Sequence, residues 1–117
     1  MATRSNVHFV VGGRTYANIY IHYDGYPSNR VKELKEFFYA VKVQTTDTRF
    51  NDPEYLAAKF VVWYSQSGLG EGSSSPSLDF LGIGVSTQDH GDIEYIYEVH
   101  CDTLNDEGVP EITITKA

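Results

Sequence analysis

Asn6-Val-His-Phe-Val-Val-Gly-Gly-Arg-Thr-Tyr-Ala-Asn-Ile-Tyr-Ile-His-Tyr23 is the stretch on which the fold turns. A Gly12-Gly13 pair divides two runs of period two, the pattern of two strands joined by a tight hairpin turn. In the first run, Asn6 to Val11, the side chains of Val7, Phe9 and Val11 share one face, and His8 and Val10 the other. In the second, Arg14 to Tyr23, Ala17, Ile19, Ile21 and Tyr23 point one way and Tyr16, Asn18, Tyr20 and His22 the other. The apolar file faces a core. Tyr16, Tyr20 and His22 are left as a half-exposed aromatic row suited to contact with a ligand or partner.

Asp24-Gly25-Tyr26-Pro27 breaks the second strand, and Ser28 is the expected N-cap of a helix over Asn29 to Lys42. There Val31, Leu34, Phe38 and Val41 recur at three- and four-residue steps, widened by Phe37, opposite a mixed face of Lys32, Glu33, Lys35 and Glu36. Asp52-Pro53 marks a second helix start, with Leu56, Phe60 and Trp63 on the buried side and Gly68 as the expected C-cap. Leu69 to Ser77 reads as a linker loop, Leu81 to Val85 as a short strand, and Asp92 to His100 as a strand that alternates Ile93, Tyr95, Tyr97 and Val99 with Asp92, Glu94, Glu98 and His100. Asn105 to Gly108 turns the chain into a closing strand, Glu111 to Thr115. The order β-β-α-α-β-β-β predicts an α+β fold, with an antiparallel sheet carrying both helices on one face, in a single domain over residues 1–117.

With 117 residues, 13.2 kDa and 41% hydrophobic content, the chain suits one globular domain. No apolar run approaches the roughly 20 residues that span a bilayer, so no membrane partner is expected. The N-terminus lacks a signal-peptide core, and the lone Cys101 has no disulfide partner, which together predict a reduced, cytoplasmic setting. The net charge of −7 is unevenly spread. Residues 1–60 hold 8 Lys/Arg and 6 Asp/Glu, net +2; residues 61–117 hold 1 and 10, net −9.

No motif dictates a chemistry. Gly68-Leu-Gly-Glu-Gly72 has no strand before it, no helix after it and no Gly-Lys-Ser/Thr ending, so it does not cradle phosphate. His8, His22, His90 and His100 lie on separate elements, which predicts no metal and no cofactor; Asp89, His90 and Asp92 fit a solvated turn better than a surface metal site. His22 and Asp24 sit two apart at a strand end, where they either share the edge of an acid–base site or serve as turn and rim residues. The bases alternate with acids and the molecule is anionic, so direct nucleic-acid binding is not expected. Asp89, Asp92, Glu94 and Glu98 instead make an acidic surface complementary to a basic partner.

Tyr20-Ile-His-Tyr-Asp-Gly-Tyr-Pro27 followed by an amphipathic helix, together with Asp92 to Tyr97, resembles a group of small uncharacterised proteins encoded by bacteriophages and prophages. These carry a His-aromatic-Asp-Gly-Tyr-Pro element, often with Trp where this chain has Tyr23. The glycine expected soon after the proline is replaced here by Asn29-Arg30-Val31. The resemblance brings no activity. It implies the context of phage accessory factors, which inhibit host machinery by covering a host protein or by sequestering a signalling nucleotide.

Three functions follow as expectations. The first is a non-enzymatic binding protein that sets its acidic surface against a basic host protein, such as a defence protein. The second is a nucleotide-binding module or sponge in which Tyr16, Tyr20, Tyr26 and His22 stack on bases while Arg14 and Arg30 hold phosphates. The third is a small hydrolase or nuclease centred on His22 and Asp24. Homo-oligomerisation bears on the first two, because shallow aromatic surfaces become pockets between subunits.

Overall fold

The Gly12-Gly13 turn closes with both residues at positive φ, 59° and 79°, and joins β1 (Ser5–Val11) to β2 (Arg14–Ile21) in antiparallel register. The computed structural model describes residues 3–67 and 82–117. Within them the chain continues through α1 (Pro27–Gln44), α2 (Pro53–Ser67), β3 (Ile83–Val85), β4 (Tyr95–Leu104) and β5 (Pro110–Lys116), an α+β fold. The Gly68 cap, the Leu69–Ser77 loop and Leu81 fall outside the described residues. No helix among the described residues is long and apolar enough to cross a membrane.

The sheet is mixed, and this corrects the purely antiparallel expectation. Its spatial order is β3-β2-β1-β4-β5. The outer pairings are antiparallel, but β1 and β4 run parallel at the centre, Val7 beside Tyr97 and Phe9 beside Val99. Alternation of side chains fixes which face a residue occupies and is blind to strand direction. A parallel pair needs a long crossover, and β2, both helices and β3 supply it between β1 and β4. β1 is buried on both faces, as suits a central strand: Val7 and Phe9 on one side, Asn6 and Val10 on the other.

One face of the sheet meets the helices. Val7, Phe9, Ile19, Ile21, Tyr97 and Val99 join Leu34, Phe37, Phe38 and Val41 of α1 and Leu56, Phe60 and Tyr64 of α2 in one core. The rings of Phe9, Phe37, Trp63 and Tyr64 surround Phe60 at centroid distances of 5.2–6.1 Å. α2 starts as its sequence indicates, with Asp52 Oδ1 accepting the Tyr55 N–H at 3.2 Å. α1 differs: Pro27 occupies its first turn, Tyr26 stands at the N-cap without a side-chain bond, and Ser28 is already inside the helix. Proline's fixed φ suits that position, and its missing N–H needs no partner there.

Candidate functional site

The register assembles a polar surface on the face away from the helices. His8 lies beside Asn18 on β2 and beside Glu98 on β4, and Glu98 beside Thr113 on β5. One pleat further on, Arg4 and Glu94 extend the same rows, with the Glu94 N–H donating to the Arg4 carbonyl at 2.8 Å. Tyr20, Asn6, Ile96 and Thr115 form the row between.

The β3–β4 connection folds onto the β1–β2 half of this face. His8 Nε2 and Asp89 Oδ1 are 2.5 Å apart, and Asn18 Nδ2 donates to the same oxygen at 3.1 Å. Beneath it the buried amides pair, Asn6 Nδ2 donating to Asn18 Oδ1 at 2.6 Å, while the His90 N–H reaches Asn6 Oδ1 at 3.3 Å. The His90 ring stacks on Tyr20 at 3.9 Å, and Asp92 pairs with Arg4 at 3.3 Å. Buried polar groups cost stability unless bonded, and Asn6 and Asn18 meet that demand through each other and the loop. Burial pulls the Asp89 carboxyl upward, but the hydrogen bonds from His8 and Asn18 and the nearby imidazoles outweigh it and hold it below the ordinary carboxylate range.

Linkage gives the sign. A carboxyl with a lowered folded pKa contributes stability above the unfolded value of about 3.9, and this is lost as pH falls through the lowered value. Asp89→Asn should therefore be less stable than the wild type at pH 6, and the gap should close on acidification below about pH 4, as followed by thermal melts. A gap that stays constant across that range contradicts the Asp89 bonding.

All four histidines gather on or over this face. His100 Nε2 lies 2.9 Å from Thr113 Oγ1, and His22 Nδ1 lies 3.1 Å from the Tyr20 hydroxyl and 3.4 Å from Arg4 Nε. Among the described residues no three His, Cys, Asp or Glu side chains group so as to hold a metal ion.

The Tyr23–Pro27 turn is a staple inside the fold. Arg30 is completely buried; its guanidinium donates to Glu33 Oε1 and, at 2.7 Å, to the Tyr23 carbonyl. The Asp24 carbonyl accepts from Asn29 Nδ2 at 2.8 Å, the Gly25 carbonyl from the Tyr97 hydroxyl, and the Tyr26 carbonyl from the Asn29 and Arg30 N–H groups. Every carbonyl from Tyr23 to Tyr26 is thus taken. Gly25 is required by close approach, since a Cβ there would lie 2.8 Å from the Thr3 carbonyl and from Ser5 Oγ.

Several nominated residues are accordingly placed apart. Arg30 is shut away from any phosphate, which corrects its assignment as a phosphate holder. Asp24 sits at φ 53°, and no hydrogen bond or ion pair joins it to His22 among the described residues, so that pair is not assembled. Tyr16 is the unpaired residue of a bulge between Phe9–Ala17 and Val10–Thr15, which takes it out of the Tyr20–His22 row. Arg14 lies over its ring at 5.0 Å. Tyr26 is exposed at the start of α1. Of the binding row, Tyr20 and His22 remain together.

Arg4, His8 and Asn18 also belong to the site, and the sequence signal for His8 and Asn18 is the strand alternation that sets them opposite the core face.

Burial pushes the Tyr97 phenol up to about 12, against the pull of Arg30. Tyr97→Phe removes the partner of the Gly25 carbonyl and should lower unfolding free energy by about 1–3 kcal/mol in urea titrations. A loss below about 0.5 kcal/mol contradicts the staple. Burial, with the charges of Asp102 and Asp52, likewise pushes the Cys101 thiol up to about 12. Iodoacetamide should alkylate it only after unfolding, because the thiolate is the reactive form; rapid alkylation of the native protein contradicts this.

The fold and face define an α+β protein with one sheet side given to its core and the other to polar groups. No protein-family model, no curated protein and no solved structure matches the chain.

Proposed function

We propose that the protein acts by binding, and that the polar face of its sheet covers a basic surface of a partner protein. One observation carries this. Asp89, Asp92, Glu94 and Glu98, scattered over ten residues of sequence, come to a single face, with Glu111 at its β5 margin and Arg4 as the one Lys or Arg that the described register places there. Such a field attracts a cationic surface and speeds encounter. Asp89 and Asp92 are paired with His8 and Arg4, whereas Glu94, which is exposed, and Glu98, which is half-buried and accepts from Thr113 Oγ1 at 3.2 Å, have no cation partner among the described residues. The resemblance to phage-encoded proteins supports a host protein as the partner, inhibited by being covered in the cytoplasm. With Arg30 buried, the nucleotide-sponge alternative loses one of its two phosphate holders and keeps the exposed Arg14, which lies over Tyr16. The His22–Asp24 hydrolase loses its pair.

An arginine-rich peptide serves as a stand-in for the basic surface. Binding measured by calorimetry should weaken at least about tenfold in Glu94→Gln/Glu98→Gln, close to 1.4 kcal/mol, and weaken further with salt. Equal affinity for wild type and double variant contradicts the assignment.

A further inference from the structure

β5 ends the sheet, and among the described residues no strand pairs with its outer edge. Edge strands are ordinarily blunted by shortness, bulges, an internal proline or an inward charge. β3, at the opposite edge, has three residues. β5 has seven, its proline stands at the first position where it interrupts least, its two charged residues, Glu111 and Lys116, stand toward the ends, and its centre, Ile112-Thr113-Ile114-Thr115, is uncharged and β-branched throughout. Ile112 and Ile114 point to the helix side of the sheet, and Ile114 is 44% exposed.

We infer that β5 pairs antiparallel with β5 of a second copy of this chain, about a twofold axis at Thr113. Two five-stranded sheets then become one continuous sheet. The choice of occupant rests on self-complementarity. Centred on Thr113, the pairing sets Thr113 against Thr113 of the partner subunit, Ile112 against Ile114 of the partner subunit, and Glu111 against Thr115 of the partner subunit. All seven residues are used and no like charges oppose. A slip by one residue would set helix-side isoleucines against polar-side threonines, which the pleat forbids. A slip by two leaves an end residue unpaired or sets Lys116 against Ile112 of the partner subunit.

A twofold axis perpendicular to the sheet keeps both helix layers on one side. The Ile112–Ile114 pairs therefore close beside a groove of about 420 Å³ between α1 and β5, lined by Val31, Lys35, Val109 and the same isoleucines. Both polar faces emerge on the other side, so a partner with two basic patches meets two of them at once. The pairing does not depend on what those faces bind. Salt separates the two: each copy carries −7, so screening strengthens self-association while it weakens capture of a cation.

Sedimentation over a concentration series tests the pairing. The wild type should approach twice its 13.2 kDa, more readily at higher salt. Thr113→Lys and Thr113→Glu, each placing like charges together at the axis, should remain monomeric with at least tenfold weaker association, and mixing the two should restore the dimer. Circular dichroism confirms that each variant is folded. As a second variant, Thr113→Cys should yield a disulfide-linked dimer on oxidation, because directly opposed strand residues lie within disulfide reach. A wild type that stays at 13.2 kDa at every concentration overturns the proposal. So does a dimer untouched by Thr113→Lys, a failure of the mixed variants to recover, or the absence of the disulfide. A monomer that captures an extended peptide along β5 assigns the edge to another protein instead.

Discussion

Replacing Arg30 with methionine is expected to lower stability by about 3–5 kcal/mol, the range for breaking a buried ion pair by removing one partner. The guanidinium is fully buried and joins two parts of the molecule, donating to Glu33 in α1 and to the Tyr23 carbonyl in the turn. Methionine fills the volume but leaves the Tyr23 carbonyl without its donor and Glu33 without its cation. Glu33 makes the effect depend on pH. Burial pushes its carboxyl up, opposed by the Arg30 charge and by hydrogen bonds from Asn29 and Arg30. Without Arg30 the opposition weakens and the carboxyl rises further.

An acid with a raised folded pKa holds its proton more tightly in the native state. The deficit in Arg30→Met should therefore be smallest below the ordinary value of about 4.3 and grow as pH rises through the raised one. Urea midpoints near pH 4 and pH 7 read both effects. Arg30→Met/Glu33→Met should recover much of the loss, since a well-packed apolar pair can replace a buried ion pair at little cost. A single variant within about 1 kcal/mol of wild type at neutral pH contradicts the staple.

Phe60→Ala is expected to cost a similar amount, about 3–5 kcal/mol, through a different mechanism. Phe60 is completely buried among Phe9, Phe37, Trp63 and Tyr64, so it links β1 and α1 with its own helix. Truncation removes the apolar burial, leaves a cavity and abolishes four ring contacts, one edge-to-face, one stacked and two tilted, of a kind that adds about 0.5–1.5 kcal/mol per pair. Phe60→Leu should cost clearly less, because it keeps most of the volume. Equal losses for the two would show that the cavity is not the cause.

These two residues mark the range of what sequence discloses. Phe60 announces itself through the Leu56, Phe60 and Trp63 spacing behind an Asp-Pro start, and the structure puts it at the centre of the core. Arg30 obeys the same arithmetic, since it precedes Leu34, Phe37 and Val41 by four, seven and eleven residues and so lies on the buried stripe. Its charge argues for the surface, and only the turn that it bonds explains its burial. Position on a helix is legible from periodicity; the reason for burying a cation is not.

The strands show the same limit. Alternation assigned His8, Asn18, Tyr20 and Glu98 to faces that the structure retains. It carried no information on strand direction, so the parallel β1–β4 pair was invisible, and with it the meeting of His8 and Asp89 across 81 residues. The acidic residues were legible as a group and became a surface only through that pairing. The bulge at Tyr16 interrupts the alternation that had placed it with Tyr20 and His22.

Amide NMR during titration with an arginine-rich peptide tests the central claim most directly. Shifts are predicted along Arg4 to His8, Glu94 to His100 and the Ser86–Asp92 connection, shrinking as salt is raised. The amides of Tyr23 to Tyr26 and of the outer helix surfaces should stay in place. Shifts concentrated at that turn or on the helices, or no shifts at low salt, would contradict the polar sheet face as the binding surface.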